Sequence, residues 1–216
     1  MPHTVVSLAG RFGYDDDGET PNTQLALYHY DDCKLLCEIR GLKTAARQDV
    51  WLGEIWYGSE GTLTRDLRSG LTRVYLGKEK EPMQLADGKG NKDLPHFQNF
   101  IAALRSRKVE DLKADCLEGH VSSAMCHLAN ISHRLGKDST FAPPTQALAG
   151  CKEAGESFQE AAEHLRANGI DLASAKYRLG RTLRFDTKTE TVPGDPEANA
   201  LLTRTYRAPF IVPEKV

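Results

Sequence analysis

The alternation of apolar and polar positions divides the chain into a sheet-like first third, a helical middle and a mixed end. Leu25, Leu27 and His29 alternate with Gln24, Ala26, Tyr28 and Tyr30, a period of two that predicts a strand. After Asp31-Asp32 the pattern resumes. Cys33, Leu35, Cys37 and Ile39 share one face; Lys34, Leu36, Glu38 and Arg40 share the other. Two such runs around a short polar loop predict a hairpin. Val5 to Phe12, Gly53 to Tyr57, Thr62 to Arg65 and Thr72 to Leu76 are further strands, with a tight turn at Gly58-Ser59-Glu60-Gly61.

The period then changes. Asp93 and Pro95 open a helix in which Phe97, Phe100, Ile101 and Leu104 follow i, i+3, i+4, i+7. Asp115 and Glu118 have capping-box spacing, and Leu117, Val121, Ala124, Leu128, Ile131 and Leu135 form one long apolar stripe up to a stop at Gly136. Phe158, Ala161, Ala162 and Leu165 mark a helix that ends at Gly169. Arg181 to Phe185 reads as a short strand, Asp195-Pro196-Glu197 opens a last helix, and Pro209 and Pro213 hold the tail extended. The pattern predicts an α+β fold: an open, mostly antiparallel mixed sheet with helices packed on one face. It reads as a single domain over 1–216, with sheet over about 4–77, helices over about 94–136, and C-terminal helices and tail over about 150–216.

Composition narrows the classes. A net charge of −2 gives no pull toward nucleic acid or an anionic membrane surface. No apolar run approaches the roughly 20 residues of a membrane span, and Met1-Pro2-His3-Thr4 has no signal-peptide character, so the expected compartment is the cytoplasm. Five sparse cysteines, Cys33, Cys37, Cys116, Cys126 and Cys151, are expected to be free buried thiols, with Cys33 and Cys37 in the core.

Candidate chemistry is thin. No Gly-x-Gly-x-x-Gly opens a helix: Gly10 and Gly13 are flanked by strand signals, and Gly88-Lys89-Gly90 lies in a polar loop. Cofactor binding by this chain alone is therefore not expected. Asp15-Asp16-Asp17-Gly18-Glu19 fails the calcium-loop spacing and reads as an acidic turn. If that loop faces a ligand, Arg11, Asp17, Glu19 and Asn22 offer donors and acceptors for sugar hydroxyls. The second helix carries a polar line of Cys116, His120, Ser123, His127 and Asn130. His120 joins the substrate-side candidates as part of a pocket wall. Cys116, His120 and His127 form a poor metal set, because about 10 Å of helix separates the two histidines; no metal ligand is assigned. No catalytic set emerges from the residues.

Six ordered segments together resemble one family. They are Arg11-Phe-Gly-Tyr-Asp-Asp-Asp-Gly-Glu-Thr-Pro-Asn-Thr23, Glu38-Ile-Arg-Gly-Leu42, Ile55-Trp-Tyr-Gly-Ser-Glu-Gly61, His96-Phe-Gln-Asn-Phe-Ile101, the run from Glu118 to Ser132, and the run from Asp195 to Phe210. Their order and spacing are similar to the C-terminal half of bacterial Gfo/Idh/MocA oxidoreductases of the planctomycete-type subgroup. The resemblance implies an NAD(P)-dependent redox reaction on a sugar, polyol or glycoside. It implies a Rossmann half that carries the cofactor and the Glu-Lys-Pro lysine, and an open sheet face that makes homo-oligomer contacts. Tyr28, Leu36 and Trp56 are the apolar outer positions expected to serve that face. Glu79-Lys80-Glu81-Pro82 does not match the lysine motif. The Asp and His expected on a helix before the sheet have no room before Thr4, so no catalytic residue is carried over and the chain is expected to be inactive alone. The alternative is a stand-alone oligomerisation or carbohydrate-binding module.

Overall fold

A computed structural model describes residues 1–77, 81–87, 94–142 and 146–212. In chain order the elements are β1 (Thr4–Gly10), β2 (Thr23–His29), β3 (Lys34–Arg40), β4 (Gly53–Tyr57), β5 (Gly61–Asp66), β6 (Leu71–Leu76), β7 (Met83–Asp87), α1 (Leu94–Ser106), α2 (Cys116–Arg134), β8 (Lys137–Thr140), α3 (Lys152–Ala167), β9 (Lys176–Leu179), β10 (Leu183–Arg184) and α4 (Pro196–Ala200). The class is α+β, and every strand pairing among the described residues is antiparallel. Asp93, Gly88-Lys89-Gly90, Glu79, Lys80 and Pro213 lie outside the described residues.

Two compact units form where the pattern reads as one domain with one sheet: residues 1–43 with 116–216, and residues 44–115. In the first, strands order as β3-β2-β1-β9-β8, with β10 also on β1. β1 pairs throughout with β2, Leu8 opposite Leu25. Its other edge is shared: β9 takes Leu8 and Ala9, and β10 takes Thr4 and Val5.

The helices do not share one face. Val5, Ala26 and Tyr28 pack against Leu128, Ala129 and Ile131 of α2. Val6, Leu8, Leu25 and Leu27 pack against Ala154, Phe158 and Leu165 of α3. Successive strand residues point to opposite faces, so α2 and α3 cover opposite sides of the sheet. This corrects the one-face expectation. The signal was present: Val5 to Ala9 is nearly continuous in small and apolar residues, as in strands buried on both sides.

Other positions shift for the same reason. Tyr28, expected on an outer face, is buried under α2 with its hydroxyl donating to the Met125 carbonyl at 3.0 Å. Leu36 is half-buried on the α3 side. Cys33, Cys37, Cys116 and Cys126 are exposed rather than buried, and Cys151 is half-buried. β3 is an edge strand, and α2 packs on β1, so Cys37 lies beyond the cover that Tyr28 receives.

The gap between β9 and β10 is closed by one side chain. The Ser132 hydroxyl accepts from the Ser7 N–H at 3.0 Å and donates to the Arg181 carbonyl at 2.7 Å. The Arg181 N–H donates to the Ser132 carbonyl, and the Gly180 N–H to the Ser7 carbonyl. Ser7 and Ser132 are fully buried. A Cβ on Gly180 would stand 2.4 Å from the Ser132 hydroxyl and 2.7 Å from the Ser7 carbonyl, so only glycine fits. Gly136 serves the same crossing: its Cβ would lie 2.5 Å from the Leu179 carbonyl. Its glycine is set by close approach, not by a helix stop. Gly169 does stop α3, at φ 79°, with Gly169 N–H on Arg166 and Ile170 N–H on Leu165.

The second unit is a β4-β5-β6-β7 meander followed by α1. Asp66 organises one end, accepting from the N–H groups of Trp51, Leu52 and Ser69. Burial opposes its ionisation, but these hydrogen bonds outweigh burial and hold the carboxyl well below its usual range. Trp56, Leu63, Val74 and Met83 are cross-strand partners in register, so they form one apolar row across all four strands. Trp56 and Met83 are about half exposed. The predicted stripe of α1, Phe97, Phe100, Ile101 and Leu104, is exposed as well.

His164 on α3 is buried, with no partner on Nε2 among the described residues. Burial, then the nearby Arg40 guanidinium, pushes its pKa down; Glu38 partly offsets this. Arg40 itself is held by Glu38 and by Glu160 of α3, the latter at 3.0 Å.

Two outcomes follow. Ser132→Ala leaves the Ser7 N–H and the Arg181 carbonyl unsatisfied, and is expected to cost about 3 kcal/mol in urea unfolding. Because the fold lowers the His164 pKa, this group leaves stability unchanged above about pH 6.5 and lowers it as pH falls below that value, where the unfolded chain binds the proton first. His164→Gln should flatten the fall in stability that sets in below about pH 6.5, read from urea unfolding across that range.

Candidate functional site

The sequence-predicted residues fall at two ends of β1. Arg11, Asp17, Glu19 and Asn22 lie in the loop that joins β1 to β2. Arg11 turns back on its own loop: Nε and Nη2 donate to Asp16 at 2.8 and 2.5 Å, Nη1 donates to the Thr20 carbonyl, and the guanidinium lies 5.3 Å from the Tyr14 ring. The Arg11 hydrogen bond, followed by that from the Gly18 N–H, lowers the Asp16 pKa. Asp17 and Glu19 are exposed. Asn22 is buried and acts as a clamp, its Oδ1 accepting from the Phe12 N–H and its Nδ2 donating to the Phe12 carbonyl. Its amide is committed to shaping the loop.

His120 sits elsewhere. Its Nε2 meets Glu190 at 2.8 Å, in the turn that follows β10, with both side chains about half exposed. β10 pairs with Thr4 and Val5, at the far end of β1 from Arg11. Six residue steps of strand separate the two ends by about 20 Å, so His120 and the loop do not line one site. Glu190 adopts a left-handed φ of 52°. Asp186 supports that turn, accepting from the N–H groups of Lys188 and Thr189. Cys116, Ser123 and His127 remain solvent-facing. Among the described residues, no group of three or more His, Cys, Asp or Glu is placed to hold a metal ion.

The best-built polar arrangement is a third place. An open cleft of about 830 Å³ is lined by Gln146, Arg181, Thr182, Arg184, Asp195 and Glu197 among others. Arg181 projects from the β9–β10 connection that Ser132 pins. Its Nη1 donates to both Asp195 oxygens at 3.0 Å and its Nη2 to Glu197 at 2.6 Å. Asp195 also caps α4, accepting from the Ala198 N–H at 3.0 Å, and Pro196 follows at the first helical position. That backbone bond, then Arg181, holds the Asp195 carboxyl below its usual range. The Glu197 and Arg181 side chains are 66% and 39% exposed, so they keep spare acceptors and donors toward the cleft.

The array can do one thing well. Carboxylates fixed by a guanidinium present unused lone pairs beside N–H donors, which suits vicinal hydroxyl groups. The local pattern places Arg181 in a strand and Asp195 at a helix cap. The pair spans 14 residues of chain, and no local pattern announces it. β1 ends at Gly10 in a loop that leads to β2 and not to a helix, and the strand pairs among the described residues are antiparallel. No helix among the described residues is long and apolar enough to cross a membrane.

Asn22→Ala separates loop integrity from binding. Losing two buried hydrogen bonds at Phe12 should cost about 2 kcal/mol in thermal or urea unfolding. Asp17→Asn and Glu19→Gln, both exposed, should leave stability within about 0.5 kcal/mol.

No protein-family model matches the chain, and no curated protein matches it. Among solved structures, the chain is similar to a crystal structure of a protein from Klebsiella pneumoniae provisionally named an oxidoreductase. The two share 12% identity at a TM-score of 0.39 over 94% of this chain and 47% of that one. The chain thus spans about half the length of that protein.

Proposed function

We propose that this chain forms the substrate-side and subunit-contact part of an NAD(P)-dependent oxidoreductase of the Gfo/Idh/MocA type that acts on a sugar, polyol or glycoside. The observation that carries the reading is the fixed Arg181–Asp195–Glu197 array in an open cleft, a hydroxyl-binding arrangement. Two of the six family-like segments supply its frame: one ends at Ser132, and the other begins at Asp195. In this reading a Rossmann half brings the nicotinamide and the proton-handling groups, while these residues bind and orient the substrate. Orientation is itself catalytic, because hydride transfer needs donor and acceptor carbons held at close range.

The apolar row Trp56–Leu63–Val74–Met83 supports the subunit-contact role. A half-exposed aromatic and a half-exposed methionine in one row are suited to a second copy, since symmetric sheet faces are self-complementary. The same row supports the second reading, a stand-alone oligomerisation or carbohydrate-binding module.

Calorimetric titration tests the division of labour. The chain alone should bind neither NAD nor NADP below about millimolar, yet should show saturable binding of simple sugars that Arg181→Ala weakens. Micromolar binding of either dinucleotide would overturn the proposal. So would sugar binding that Arg181→Ala leaves intact. Sedimentation should give a species larger than one chain, shifted toward monomer by Trp56→Ser.

A further inference from the structure

We propose that the Arg181 cleft selects an acidic sugar, a polyol bearing one carboxylate, and that Arg184 is the residue that recognises the carboxylate. The inference rests on the hydroxyl-binding reading above and adds the ligand's charge to it.

The cleft is lined by two arginines and two carboxylates, Arg181 and Arg184 against Asp195 and Glu197. Both carboxylates are taken by Arg181, through three hydrogen bonds of 2.6 to 3.0 Å. Arg184 is exposed on β10 and makes no ion pair among the described residues. Its backbone is set by pairing with Thr4, so the stem of the side chain starts from a fixed place in the sheet.

A neutral polyol would satisfy the Arg181 array and leave the Arg184 fork to water. A ligand carboxylate would add a two-pronged, charge-assisted pair there. The surplus negative charge of the array lies toward Glu197, the more exposed of the two carboxylates. This fixes the ligand's direction, with hydroxyls toward Asp195 and Glu197 and the carboxylate toward Arg184. The reverse orientation sets like charges together, and a basic sugar would meet Arg184.

D-glucuronate and D-glucose differ at one carbon and serve as probes. Their affinities for the full chain are measured by ligand-observed NMR or calorimetry at fixed, low ionic strength. The expected result is a preference for glucuronate of at least about tenfold. Arg184→Gln should bring that ratio to about one, and Arg184→Lys should give an intermediate ratio. Circular dichroism confirms that the variants are folded, and the lysine variant keeps the test open if the glutamine variant is not. Equal affinity for the two probes in the unaltered chain would overturn the acidic-sugar proposal and leave hydroxyl binding standing. A preference that survives both substitutions would overturn the role of Arg184. Binding of neither probe would overturn the hydroxyl-binding reading as well.

Discussion

Much of the first unit depends on one buried hydroxyl. β1 is paired along its whole length on one side but is shared between two short strands on the other. Such a junction leaves a backbone N–H with no ladder partner, and an unpaired N–H in a dry core is costly. Ser132 resolves it from α2, accepting from Ser7 and donating to Arg181. The contact demands that helix, strand and connection approach more closely than a Cβ allows, hence Gly180 and Gly136. One hydrogen-bonding requirement thus fixes two glycines, a serine and the seat of α2.

The same junction explains why the cleft is better built than the loop or the His120 turn. Arg181 emerges directly from the pinned connection, so its guanidinium begins from a rigid base. Asp195 is held from two sides, as cap of α4 and as partner of Arg181. Preorganised polar groups bind hydroxyls without first being ordered, which is where flexible surface groups lose affinity. Arg11 is ordered too, but against Asp16 and Thr20 of its own loop. Its order stabilises a turn instead of presenting a site.

The second unit has a different balance. Its sheet is organised around a buried carboxylate, Asp66, and leaves aromatic and aliphatic side chains half exposed along Trp56–Leu63–Val74–Met83. α1 adds Phe97, Phe100, Ile101 and Leu104, all outward. Apolar residues at strand and helix spacing usually mark a core. Here they mark surface that gains from being covered, which is why the proposed function includes association.

Local chemistry made the element types legible. The period-two runs around Asp31-Asp32, the glycine stop at Gly169 and the Asp195-Pro196 helix start are found in the fold, and the stripe from Leu117 to Leu135 is found as α2, buried at Leu128 and Ile131 but exposed at Leu117. Each is decided within about ten residues by backbone geometry and capping. What lay beyond the sequence was pairing at a distance. That α2 and α3 take opposite faces depends on which side of β1 each helix can reach. Alternation in β2 alone could not say, because Ala26 and Tyr28 are nearly as apolar as Leu25 and Leu27. Ser7 and Ser132 meet across 125 residues, and Arg181 and Asp195 across 14. Ser7 and Ser132 lose their water on folding and are left with each other, while Arg181 and Asp195 meet at the wall of an open cleft because the pinned connection and the cap of α4 bring them together. The helices, the first six strands and their turns were readable from local runs, whereas β7, β8 and β9 and the partners of Ser7, Arg181 and Asp195 were set by folding, because those pairings join segments that no local run connects.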